Sequence, residues 1–134
     1  MALNPNLSVL GRNRALNAAV DTVLDSGYLR IYDGTQPTDA DTAIGAQVML
    51  AELTLAATAF AAASSASKAA GAIGSIAAAA TGTASWGSFV TSAGTRVLDF
   101  SVGPSGANLN LNSVAISSGA TVACSGFTLT MAAG

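Results

Sequence analysis

The chain has 134 residues, room for one domain, and only 9% of them are charged, with a formal net charge of −2; an average soluble domain carries roughly 25% charged residues. Its five basic residues, Arg12, Arg14, Arg30, Lys68 and Arg96, are scattered, which excludes the clustered positive charge that binding to phosphates demands, so no nucleic-acid partner is expected. A near-neutral surface of Ala, Ser, Thr and Gly costs little to desolvate, and suits a molecule covered by neighbours in an assembly.

Residues 1–10 hold Asn4-Pro5-Asn6 and no periodicity, and read as an extended arm. A helix is predicted over 11–26. Leu16, Val20, Val23 and Leu24 share one stripe of a 3.6-residue period, Asn13 is a candidate N-cap, and Ser26-Gly27 supplies the stop with Gly27 free to take positive φ. Its charges oppose the helix dipole: Arg12 and Arg14 stand at the positive end, Asp21 and Asp25 near the negative one. Either these arginines face an acidic neighbour or they are simply solvated.

From Tyr28 the period changes to two, with Tyr28, Arg30 and Tyr32 on one face of a strand and Leu29 and Ile31 on the other. A long loop, 33–45, is punctuated by Gly34 and Pro37. A second strand is predicted over 47–55, with Met49, Ala51, Leu53 and Leu55 on one side and Val48, Leu50, Glu52 and Thr54 on the other. Residues 56–80, alanine-rich throughout 61–80, score as helix by propensity, but Gly71, Gly74 and the serines weaken that reading. A loop with one poor strand is expected there. Segment 82–91, carrying Trp86 and Phe89, forms a hairpin with 96–102 through Ser92-Ala93-Gly94-Thr95. Leu109 and Leu111 point inward from 107–112, and the last strand, 121–131, changes parity between Cys124 and Phe127, which a bulge at Ser125-Gly126 would reconcile. Strands with turns at this spacing predict a mainly β fold, an antiparallel β-sandwich or barrel-like domain, with the N-terminal arm and one N-terminal α-helix beside a β body over 28–132.

Two apolar stretches, 48–63 and 69–80, fall short of the usual span of about 20 residues, and the first contains Glu52; no membrane partner is expected. The opening MALNPNLSVLGRNR lacks the apolar region of a secretory leader, and a lone Cys124 permits no internal disulfide.

The chain has no histidine, which removes the commonest general base and metal ligand. Ser67-Lys68 is a weak candidate for a hydroxyl nucleophile with a lysine base. Cys124 has no basic sequence neighbour to activate it and reads as a small core residue. Asp33, Asp39 and Asp41 are the one acidic cluster, but they do not follow the calcium-loop spacing, and turn formation or capping explains them more simply. No catalytic residue, cofactor or metal site is predicted.

Three stretches carry a resemblance. They are 15–45, including YLRIYDGTQPTDADTAIG from Tyr28 to Gly45; VLDFSVG from Val97 to Gly103; and 107–131. Together they resemble a family of small virion structural proteins of tailed bacteriophages. Residues 66–80 and Gly87-Ser88 depart from that pattern, the latter where a bulkier pair would be typical. The resemblance implies no catalytic residues. It implies a capsid decoration (cement) protein on the capsid surface of the virion, with the major capsid protein and copies of itself as partners and a homo-oligomeric state (trimer or dimer). The expected contact residues are Leu3, Pro5, Leu7, Val9, Leu10, Arg12 and Arg14. A tail, neck or baseplate component is the alternative, and a receptor- or carbohydrate-binding β-sandwich using Tyr28, Tyr32 and Trp86 as stacking platforms is the second.

Overall fold

A computed structural model describes residues 6–20, 23–70 and 73–130, with backbone alone at 125 and 126. Helix α1 (Val9–Val20) is followed by β1 (Tyr28–Tyr32), β2 (Met49–Thr54), β3 (Ser67–Ala69), β4 (Ser75–Ala77), β5 (Gly82–Thr83), β6 (Trp86–Val90), β7 (Arg96–Gly103), β8 (Leu109–Leu111), β9 (Ala115–Ile116) and β10 (Thr121–Thr130). One sheet runs in the order β2-β1-β6-β7-β8-β10-β3, with β4 also paired to β10, while β5 and β9 form a separate ribbon. The Ala79 N–H donates to the Leu50 carbonyl at 2.8 Å, so the chain after β4 reaches the outer edge of β2. The result is a mainly β, nearly closed, barrel-like sheet with one helix near the N-terminus. Closure leaves few strand edges for unwanted pairing.

The core follows from strand alternation. Leu29 and Ile31 of β1 and Leu53 of β2 face inward, each at most 1% exposed, as the period-two pattern predicts. All four phenylalanines form one cluster: Phe89 meets Phe100 and Phe127 with ring centroids 4.9 Å apart, and Phe60 packs edge-on against Phe89 at 5.4 Å. Each such ring stabilises the fold by roughly 1.5–3 kcal/mol through burial. The predicted bulge in the last strand is present. Cys124 pairs with Leu111 and Phe127 with Leu109, so one extra residue lies between them. Val122 and Phe127 are thereby both buried, and Cys124 packs against the same core. Gly87 has a steric reason to lack a side chain: an added Cβ would lie 2.9 Å from the Phe100 ring and 3.0 Å from the Arg30 carbonyl.

Several local expectations are corrected. The helix begins at Val9, not at 11, so Val9 and Leu10 belong to it and not to an extended arm. Ser8 is the cap: its hydroxyl accepts from the Gly11 N–H at 3.1 Å, the geometry that satisfies a first-turn donor. Asn13 instead reaches across to the Ala66 N–H at 2.8 Å. The described helix runs to Val20, residues 21 and 22 lie outside the described residues, and 23–26 form a turn rather than helix; Val23 is 40% exposed and leaves the apolar stripe that Leu16, Val20 and Leu24 keep. Ser26, not Gly27, takes the positive φ, 57°. Gly27 is needed for a close approach, since a Cβ there would lie 2.3 Å from the Val90 carbonyl oxygen.

In β2 a register shift opposite Ile31 and Tyr32 buries Leu50 together with Ala51, although alternation placed them on opposite faces. Between 56 and 80 the described chain holds two short strands, β3 and β4, instead of one. Segment 82–91 divides into β5, which pairs β9, and β6, in the main sheet. β8 runs parallel to β7 over Val102–Leu109 and Gly103–Asn110, the exception in an otherwise antiparallel sheet.

Candidate functional site

Two surfaces concentrate what the packing leaves unused. The first is the start of α1. One face of this helix is locked into the body: Leu16 and Val20 are 1% exposed, and Asn17 Oδ1 accepts from the Ala63 N–H at 3.0 Å and from Lys68 Nζ at 2.7 Å. Ahead of that anchored stretch, Leu7, Val9 and Leu10 at the helix start are 47%, 47% and 61% exposed. Arg14 is exposed and Arg12 half-buried on the same helix. The structure therefore brings five of the expected contact residues together; Leu3 and Pro5 lie outside the described residues.

The second surface is the loop joining β1 to β2, residues 33–48. These strands are antiparallel neighbours, which loops of about two to five residues usually join. The extra length is ordered by polar contacts rather than by a core. Asp39 Oδ1 accepts from the Asp41 N–H at 3.0 Å, the Thr42 N–H at 2.8 Å and the Thr42 hydroxyl at 2.8 Å. These bonds, the Thr42 hydroxyl foremost, hold the Asp39 carboxyl below its ordinary pKa. Asp33 Oδ1 accepts from the Val48 N–H at 2.6 Å. The Gln47 side chain bridges Gly45 and Thr35.

From β7, Arg96 pairs with Asp99 and donates to the carbonyls of Thr42 and Asp39. Its guanidinium lies 5.7 Å from the Trp86 ring centroid, a cation–π distance. Trp86 donates in turn to the Asp33 carbonyl at 3.0 Å and stacks on Tyr32 at 4.5 Å. The loop encloses an open concavity of about 680 Å³, with Pro37, Thr38, Ala43 and Ala46 on its wall.

Asp33 and Asp39 thus act as turn and backbone acceptors, Asp41 gives only its backbone N–H to Asp39, and among the described residues no group of three metal-ligating side chains comes together. Trp86 and Tyr32, 0% and 4% exposed, are packed inside and present no stacking platform. Ser67 does not engage Lys68: its hydroxyl lies 3.5 Å from that of Thr130. Lys68, 1% exposed, donates to Asn17 and to the Ala61 carbonyl at 2.8 Å. No described helix is long and apolar enough to cross a membrane.

Arg30 is tied to Glu52 at 2.7 Å. Partial burial works against the Arg30 charge, but the Glu52 contact outweighs it and holds the guanidinium above its ordinary pKa. Arg96 is tied to Asp99, Lys68 is buried, and Asp25 accepts from the Ala59 N–H at 3.0 Å. Among the described residues the remaining charge then separates, with Arg12 and Arg14 on α1 and Asp33, Asp39 and Asp41 on the loop.

Sequence reasoning missed the Arg96–Trp86 support of the loop and the Asn17–Lys68 link. The first had a partial signal in Asp39-x-x-Thr42, a capping pattern. The second had one in a single lysine set within an alanine-rich run, where a charge needs a partner. No protein-family model, curated protein or solved structure matches the chain.

Proposed function

We propose that this chain is a non-enzymatic virion structural protein of the capsid-decoration type, which stabilises the major capsid shell of a tailed phage through many repeated contacts. The observation that carries the reading is the exposed apolar group Leu7, Val9 and Leu10, at the start of a helix whose later turns are fixed in the body through Leu16, Asn17 and Val20. An apolar patch on a body this poor in charge favours association over solitary life. The resemblance carried by 15–45, 97–103 and 107–131 supplies the virion context. Repetition over a lattice makes modest individual contacts sufficient, because neighbouring attachments raise one another's effective concentration.

The test is a truncation. Removing residues 1–11 deletes the exposed group but keeps Asn13, Leu16 and Asn17, which tie the helix to the body. The truncated protein should fold, keeping the β signal in circular dichroism and losing only the helical signal of the first turn of α1, yet fail to co-sediment with particles that lack their own copy. Normal incorporation of the truncation would reject this attachment. A few copies per particle, at the tail, would move the protein to the neck, tail or baseplate.

A further inference from the structure

We infer that the start of α1 docks into the β1–β2 loop of a second copy of this chain, in a head-to-tail contact. The inference rests on the reading of the protein as an assembling structural component and names the acceptor for its N-terminal surface.

The two surfaces complement each other in shape and charge. Leu7, Val9 and Leu10 form an exposed apolar projection, and the 33–48 loop offers an open concavity of about 680 Å³ with Pro37, Ala43 and Ala46 on its wall. Arg12 and Arg14 follow the projection, while Asp33 lines the concavity and the exposed Asp39 and Asp41 stand beside it in the same loop. Among the described residues no ion pair joins Arg12, Arg14, Asp39 and Asp41 to one another; Asp39 is already engaged by Thr42 and Arg96, so Arg14 and Asp41 are the charges most open to a neighbour.

Preorganisation favours the same contact. Arg96, Asp39 and Gln47 already hold the loop, so little ordering entropy is lost when it is occupied. In this arrangement the apolar projection supplies affinity and the exposed Arg–Asp pairs supply orientation, since such pairs are individually weak. A contact between two different surfaces of identical chains closes into a ring or runs on as a chain. Either outcome suits a protein laid over a lattice.

The experiment is a charge exchange read by sedimentation of the isolated full chain over a concentration range. Arg14 and Asp41 are exposed, and neither side chain bonds to a described residue, so Arg14→Glu and Asp41→Lys should leave the fold intact by circular dichroism. Each single variant should weaken self-association by about tenfold, and the double variant should restore most of it. Leu10→Glu should abolish self-association. A chain that stays monomeric at every concentration would overturn the inference, as would self-association indifferent to these changes or not recovered in the double variant. If such a chain still binds particles, the decoration reading stands while the self-docking falls; if self-association follows the predicted pattern but particles are not bound, the reverse holds.

Discussion

Asn17→Ala withdraws one acceptor from two donors at once. In the intact protein Asn17 Oδ1 receives the Lys68 ammonium at 2.7 Å and the Ala63 N–H at 3.0 Å. A hydrogen bond to a charged group contributes about 1.5–3 kcal/mol net and a neutral one about 1 kcal/mol. Lys68 is 1% exposed, so water cannot readily replace the lost acceptor, and Ala61 O at 2.8 Å remains as partial compensation. The expected loss is therefore about 2–4 kcal/mol, a large share of the roughly 5–15 kcal/mol that holds a typical domain folded. Urea unfolding monitored by Trp86 fluorescence measures it, with a lowered midpoint at an unchanged slope. A loss below about 0.5 kcal/mol, the range of an ordinary surface substitution, would refute the claim that this contact fastens α1 to the body.

Arg96→Met should cost about 3–5 kcal/mol, because it leaves Asp99, whose side chain is 4% exposed, as an unpaired buried charge; hydrogen exchange within 33–48 should also accelerate as Thr42 and Asp39 lose their tether. Ser88→Ala should be neutral or stabilising by up to about 1 kcal/mol, since it removes a buried hydroxyl that has no hydrogen-bond partner among the described residues; calorimetry decides. The Asp39 carboxyl is held below its ordinary value, so its contribution to loop order is complete above that ordinary value and is lost as pH falls through the lower, folded one. A titration followed at the Thr42 amide should show that transition, and Asp39→Asn should remove it.

Much of the fold was legible because most of the β body obeys local rules. β1, the hairpin of β6 and β7, and the bulge in β10 each follow from alternation and turn chemistry. What failed was decided by tertiary contacts. The sequence pointed to Asn13 as the cap of α1, but Ser8 caps it and Asn13 is drawn across to Ala66. Leu50 is buried beside Ala51 because a register shift forms against β1, and nothing in alternation signals it. The alanine-rich middle yields strands only because β10 offers them partners, Leu129 opposite Lys68 and Val122 opposite Ile76. At the candidate site, Leu7, Val9 and Leu10 were named from sequence as contact residues, but on an extended arm, whereas Val9 and Leu10 open α1. The socket was not visible in sequence, because it depends on Arg96 reaching the loop from far along the chain.

Imaging intact particles at a resolution that traces side chains tests the central claim most directly. The account predicts a barrel-like domain repeated over the capsid lattice, with Leu7, Val9 and Leu10 buried against a neighbour. Particles whose shell is bare of this domain, or that carry it with those three side chains facing solvent, would contradict it.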